Sequence, residues 1–249
     1  ELEGGDAGVE QRGEDGLCLA LGGAEASHLV EQGLAHDGGG GGEEVGAVAE
    51  AWGTLSLMGP KARDVLALVT GADVSDAAFP FATAREIAIA GTTVRALRVT
   101  YVGELGWELH VPLSATGAVF DALMAAGARA QIRPLGYRAI ESLRLEKGYR
   151  AWSADITPND TPFEAGLGWA VKMKSGRDFI GRAALEAMAG KPLVKRLAGF
   201  TLADPKVVLV GRETILRNGT PVGYLTSGGY GYTLGQSIGY GYVRNSDGV

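Results

Sequence analysis

Trp107, Leu109 and Val111 alternate with Glu108 and His110, a period of two that predicts a short strand with one apolar and one polar face. The strand is fed by Tyr101-Val102-Gly103-Glu104-Leu105-Gly106, whose glycines allow positive φ or a close backbone approach. Glu108 is thereby isolated on the polar face. On spacing alone, solvent exposure is the common state of such a carboxylate.

The same kind of pattern orders the chain around this stretch. Leu55, Leu57 and Met58 predict a buried strand, and Gly59-Pro60 opens a helix whose apolar stripe is Val65, Leu66 and Val69, with Gly71 closing it. Residues 85–90 and 93–100, separated by Gly91-Thr92, predict a hairpin running into the Tyr101 loop. Ser114 is the expected cap of a helix carrying Val119, Phe120, Leu123 and Met124 and ended by Gly127. Another helix is expected over 137–150, with Leu145, Tyr149 and Trp152 at helical spacing and Glu146 placed to pair with Arg150.

Beyond it, Pro158 and Pro162 predict an extended turn, and Thr161 with Glu164 forms a capping box. Residues 169–173 alternate like a strand, and Asp178 is the expected cap of a helix reaching Ala189. From Lys195 the pattern is β throughout: 197–202, 207–210, 214–217 and 222–226, with an Asn218-Gly219 hairpin turn, a glycine-rich loop over 227–231 and a last strand over 237–243. Short strands and tight turns imply a small barrel or sandwich. The first fifty residues carry weaker signals. Leu17, Leu19 and Leu21 alternate, 25–34 has helical character, and the glycine run inside 36–45 predicts a flexible loop.

Composition narrows the function classes. The 249 residues suffice for one large domain or two smaller ones, and a net charge of -6 with a pI near 5.2 argues against a nucleic acid partner. Cys18 stands alone, no apolar run reaches membrane-spanning length and no leader is visible, so a soluble intracellular protein is expected. No dinucleotide fingerprint follows a strand, and Walker, zinc and nucleophile-elbow spacings are absent. His28, His36 and His110 make no triad. Asp155, Asp160 and Glu164 suggest a metal site at first sight, but no His or Cys joins them, and turn and cap formation accounts for all three. The residues by themselves therefore give an α+β protein with a β-rich tail.

Five stretches add to that reading: Tyr101-Val-Gly-Glu-Leu-Gly-Trp-Glu108, Leu143-Arg-Leu-Glu-Lys-Gly-Tyr-Arg150, Asp155-Ile-Thr-Pro with Thr161-Pro-Phe-Glu-Ala-Gly-Leu-Gly-Trp169, Asp178-Phe-Ile-Gly-Arg182 and Leu225-Thr-Ser-Gly-Gly229. In this order they resemble the glycine-cleavage T-protein (aminomethyltransferase) family. The variant they resemble most is the folate-binding C-terminal half of dimethylglycine and sarcosine dehydrogenases and oxidases. The likeness covers 51–243 well and the first fifty residues poorly.

The resemblance implies an α+β fold, a three-unit cloverleaf around a central tetrahydrofolate channel with a C-terminal antiparallel β-barrel, here incomplete at both ends. Residues 1–51 and 153–190 would share a discontinuous unit, 52–152 would form the second, and 191–249 an incomplete barrel. It also implies cofactor-binding roles for Glu108 and Tyr101: one carboxylate can accept a pterin N–H and its neighbouring amine together, while the tyrosine packs its ring alongside. The family's catalytic aspartate matches Asp6, upstream of Glu14-Asp15, beside folate N10. No metal is implied, and His110 takes no role.

Ile140-Glu141 stand where aminomethyltransferases usually carry an Arg-Asp pair, and Arg144, one turn along, is not counted as a site. This favours the dehydrogenase-associated branch. The implied function is tetrahydrofolate-dependent one-carbon transfer within a dimethylglycine or sarcosine dehydrogenase-like flavoprotein, giving 5,10-methylenetetrahydrofolate. Its partners would be folate, an N-methyl amine and an N-terminal FAD domain or subunit outside this chain, in the cytoplasm or, in a eukaryote, the mitochondrial matrix. The alternatives are a stand-alone aminomethyltransferase or folate-dependent demethylase, and a folate-binding module without turnover.

Overall fold

The computed structural model describes residues 18–22 and 51–244. The chain divides into two compact units, 1–140 and 141–249. In the first, β1 (Cys18–Gly22), β2 (Trp52–Met58), β3 (Ala84–Ile89), β4 (Thr92–Leu97), β5 (Gly106–Pro112) and β6 (Arg133–Pro134) form one sheet in the order β3-β4-β5-β2-β1-β6. All neighbours are antiparallel except β1 and β6.

Helices α1 (Ala62–Val69) and α2 (Thr116–Gly127) supply Val65, Leu66, Val119 and Leu123 to a core shared with one face of this sheet. That face is built by register. Leu55 lies opposite Leu109, Leu57 opposite Trp107, and Leu109 also opposite Ala96, so each strand commits alternate residues to the same side. Burying each such side chain contributes about 1.5–3 kcal/mol, and a one-residue slip of β5 would forfeit three of them together.

Ser114 does not cap α2. It lies in a 3-10 turn, Leu113–Ala115, and the N-cap Ala115 makes no side-chain bond. The glycines before β5 are used differently from one another. Gly103 takes φ +81, whereas a Cβ on Gly106 would come within 2.6 Å of Met58 Cγ and 2.9 Å of the Leu57 carbonyl oxygen.

The second unit opens inside α3 (Tyr137–Lys147) and contains a short helix, α4 (Arg182–Met188), and four antiparallel strands. These are β7 (Lys195–Thr201), β8 (Thr214–Arg217), β9 (Thr220–Gly231) and β10 (Gln236–Arg244), in the order β7-β10-β9-β8. Several expectations change here. The glycine-rich stretch 227–231 is the end of β9 rather than a loop, because its backbone pairs with β10 and a side chain on Gly228 would strike the backbone of Leu209 to Gly211. Glycine serves close approach there, not flexibility.

Residues 207–210 have no regular pairing. Trp169 sits in a 3-10 turn, Gly168–Ala170, and is 80% exposed, so the alternation over 169–173 is accidental. The N-cap of α4 is Gly181, while Asp178 bonds only the N–H of Phe179, at 2.9 Å. α3 stops at Lys147 because Gly148 takes φ +77, which removes Arg150 from the helix. Glu146 therefore accepts from the Thr233 N–H at 2.6 Å instead of pairing with Arg150, which donates to the carbonyls of Gly148 and Ala165.

Gly106→Ala is expected to destabilise the protein by about 1–3 kcal/mol through overpacking at the start of β5. Urea unfolding midpoints measure this, and an unchanged midpoint would contradict the contact.

Candidate functional site

Trp107 anchors β5. Its ring meets Phe79 edge-on, with centroids 6.1 Å apart, and the Arg63 and Arg98 guanidinium groups lie 5.5 and 5.7 Å from its centroid. Both arginines bond Asp76, whose carboxyl they hold below its usual range. With Trp107, Leu109 and Val111 fully buried in the core, the two-residue period sends Glu108 and His110 to the opposite face of the sheet. Their cross-strand neighbours on that face are Ser56 and Leu97 for Glu108, and Thr54 and Arg95 for His110.

Glu108 is half-buried, and no described residue gives its carboxylate a hydrogen bond or an ion pair. Burial pushes its pKa above the ordinary glutamate value. That is an unfavourable arrangement for an apo protein, since a desolvated carboxylate is tolerated when it is paired. It leaves both oxygens available to a ligand that brings adjacent N–H donors.

His110 is 8% exposed. Its Nδ1 lies 3.2 Å from Thr54 Oγ1, while Nε2 is buried without a partner among the described residues. Burial first, and then the charge of Arg95, lower its pKa, so the ring is neutral near pH 7. Tyr101 lies in the loop 98–105 leading into β5 and is half-buried. The loop is tied down by Gly59 N–H donating to the Leu105 carbonyl at 2.8 Å and by Val102 N–H donating to Thr100 Oγ1 at 3.3 Å. The structure thus brings Tyr101 and Glu108 to one loop-and-strand element. Asp6 lies outside the described residues.

The second unit holds a different polar cluster. Arg144 is 2% and Asp155 1% exposed, and Arg144 Nη1 donates to Asp155 Oδ2 at 2.6 Å. Arg144 also donates to Glu141 Oε2 at 2.7 Å, Ser227 Oγ at 2.8 Å and the Tyr149 carbonyl at 3.1 Å. Thr226 and Ser227 donate their hydroxyls to Asp155 Oδ1 at 2.5 and 2.6 Å. The guanidinium is spent inside the fold, joining α3 and the turn after it to β9. Its sequence signal was only an Arg and an Asp in two neighbouring motifs, which does not reveal burial.

Asp160 and Glu164 do the local work expected of them. Asp160 accepts from the Thr157 N–H and from Lys195 Nζ, at 2.8 and 2.5 Å. Glu164 accepts from the Thr161 N–H at 3.0 Å while its own N–H donates to Thr161 Oγ1 at 3.2 Å, a complete capping box. Among the described residues, no group of three or more His, Cys, Asp or Glu is placed to hold a metal ion, and no helix is long and apolar enough to cross a membrane. Two cavities lie in the second unit and do not include Glu108. One, of about 570 Å³, is lined by Arg217, Asn218 and Arg244, and the other, of about 380 Å³, by Trp152, Ile156, Pro162 and Leu167.

Fold and site together define an α+β protein of two units, with the half-buried Glu108 carboxylate, unpaired among the described residues, on the polar face of its first sheet. The GCVT N-terminal domain model matches residues 6–175, and the model of the glycine cleavage T-protein C-terminal barrel domain matches 195–248. The chain belongs to the glycine cleavage T-protein family. The mitochondrial sarcosine dehydrogenase of Homo sapiens is 43% identical over 242 residues, which is 94% of this chain and 26% of the relative. The mitochondrial dimethylglycine dehydrogenase of Homo sapiens is 40% identical over 200 residues, 80% of this chain and 23% of the relative. The chain thus spans about a quarter of the length of these curated relatives. The crystal structure of the glycine cleavage system aminomethyltransferase T from Bartonella henselae aligns with a TM-score of 0.64 and 29% identity, covering 78% of this chain and 52% of that one. The T-protein fold and its C-terminal barrel domain are therefore shared, as the motifs implied.

Two outcomes follow from these geometries. Asp155→Ala leaves the buried Arg144 charge without its carboxylate and is expected to cost about 3–5 kcal/mol, read as a lower urea midpoint with an unchanged m-value. Glu108→Gln should act in the opposite direction. A carboxyl whose folded pKa is raised destabilises the fold once ionised; the penalty is absent below the unfolded pKa and complete above the folded one. The variant is therefore expected to unfold at higher urea than wild type at neutral pH and to lose that advantage as pH falls below the ordinary glutamate value. Equal midpoints across that pH series would show that the carboxylate is well solvated.

Proposed function

We propose that this chain is the tetrahydrofolate-dependent one-carbon transfer domain of a larger flavoprotein that oxidises an N-methyl glycine, giving 5,10-methylenetetrahydrofolate. One observation carries the reading: the half-buried Glu108 carboxylate has no partner among the described residues, and it stands in the strand motif of a T-protein family member. The residues fit a reduced pterin. Glu108 offers two free acceptor oxygens to an N–H and an exocyclic amine lying side by side, and binding would relieve the cost of its burial. Tyr101 provides an aromatic face with a polar tip from the loop that enters the same strand.

Tetrahydrofolate, when bound, supplies the amines that take up the one-carbon unit. The chain's part is to hold the pterin through Glu108, to confine it beside Tyr101, and to orient or accept the proton of the N10 amine through Asp6. The names of the two human relatives favour sarcosine or dimethylglycine as the methyl donor. Their greater length favours a flavin domain outside this chain, and their mitochondrial designation favours the matrix in a eukaryotic host. The burial of Arg144 in an internal network agrees with its not being counted as a folate contact. Residues 1–51 with 153–190, 52–152 and 191–249 are the units we assign to the cloverleaf.

Titration with folinic acid tests the binding step. Glu108→Gln removes a charge-assisted bond of about 1.5–3 kcal/mol and is expected to weaken binding by about 10- to 100-fold. Asp6→Asn should leave binding intact and abolish methylene transfer. Unaltered affinity in Glu108→Gln would overturn the site. Binding without transfer from either formaldehyde or an iminium donor would instead identify a folate-binding module.

A further inference from the structure

We infer that His110 is the second ligand contact of the Glu108 site, its Nε2–H donating to the 4-oxo oxygen beside the N–H and amine held by Glu108, so that the site selects 4-oxo over 4-amino pteridines. This rests on the folate reading of the previous section and adds to it the residue that reads the remaining edge of the ring.

The starting observation is an incomplete hydrogen-bond account. Buried polar groups in folded proteins nearly always find partners. Nε2 of His110 has none among the described residues, although the residue is 8% exposed and its other ring nitrogen is engaged by Thr54. Glu108, two residues before it on the same face of β5, is likewise without a partner among them. Trp107 Nε1, on the opposite face, is also buried without a partner among the described residues, but it is enclosed by the core. The imidazole nitrogen of His110 and the half-buried carboxylate of Glu108, two residues apart on the other face, can be served by one ligand.

The chemistry of the pair is directional. Glu108 presents two acceptors. For His110 the tautomer decides, and the proposed contact is the Nε2–H form, in which Nδ1 accepts from Thr54. The proton then sits on Nε2, and the Thr54 hydroxyl donates to Nδ1 across 3.2 Å. Burial and the nearby Arg95 both disfavour the doubly protonated ring, so a neutral donor is available near pH 7. The face then offers acceptor, acceptor, donor along the strand. A 4-oxopteridine edge offers the complement, which is amine, N–H and carbonyl oxygen in a row. In a 4-aminopteridine the third group is a donor that faces the His110 donor, and N3 has lost its proton so that Glu108 also faces a lone pair; only the first mismatch depends on His110.

The test compares tetrahydrofolate with its 4-amino counterpart, tetrahydroaminopterin, on the full chain by calorimetric titration. His110→Ala is expected to weaken tetrahydrofolate binding about five- to tenfold, the loss of one neutral hydrogen bond, while leaving the affinity for the 4-amino ligand unchanged. His110→Asn serves as the check on folding, since its amide can donate from a similar position and should recover part of the preference. In the unliganded wild type, ¹⁵N resonances of the imidazole should report the Nε2–H tautomer. A Nδ1–H tautomer, or a His110→Ala variant that loses the same factor for both ligands, overturns the inference while Glu108-dependent folate binding stands. If wild type binds neither ligand, the folate reading fails and this inference fails with it.

Discussion

The two-residue period of β5 is the constraint from which the site follows. Trp107, Leu109 and Val111 are held in the core by α1, α2 and the neighbouring strands, and Trp107 is further gripped by Phe79, Arg63 and Arg98. Strand geometry then leaves Glu108 and His110 no choice of face. A carboxylate on a flexible loop could turn to water and escape the cost of desolvation. On this strand only its side-chain rotamer is free to change, because turning the backbone would pull the apolar residues on either side out of the core. The packing of one face is therefore what keeps polar groups unsatisfied on the other.

The contrast with the second unit shows how differently the fold treats polar side chains. Around Arg144 and Asp155, donors and acceptors are matched: Glu141, Thr226, Ser227 and a carbonyl complete the pairing, and neither charge is left open. Such a network specifies geometry, and breaking it exposes a buried charge. Around Glu108 the pairing is left undone. Under the proposed function a ligand supplies the missing partners there.

The same contrast explains the stability balance of the chain. Glu108 costs the apo fold something that the core beneath β5 offsets, and Gly106 accepts an entropic cost so that the strand can start close to Leu57 and Met58. Both are local sacrifices at the point where the glycine loop meets the strand. On the opposite, apolar face Trp107, Leu109 and Val111 are fully buried, with Trp107 Nε1 also left without a partner among the described residues.

Much of this was legible in the sequence because it depends on local periodicity and local chemistry. Alternation gave β2, the hairpin of β3 and β4, and β5 with its two faces, and the apolar stripes gave α1 and α2. The Thr161–Glu164 capping box is a contact over three residues and was readable for that reason. The five motifs carried the family, which the matched models bear out. What the sequence could not decide are properties of pairing and burial between distant segments. The end of β9 looked like a loop, since glycine signals flexibility and close approach alike, and only the neighbouring backbone at Leu209 to Gly211 distinguishes them. The sequence placed Arg144 on a helix without a role, and only the fold shows Asp155 and Ser227, 11 and 83 residues away, enclosing it. Glu108 and His110 were visible as polar positions, but their lack of partners is a fact about everything else in the fold, and tertiary structure alone supplies it.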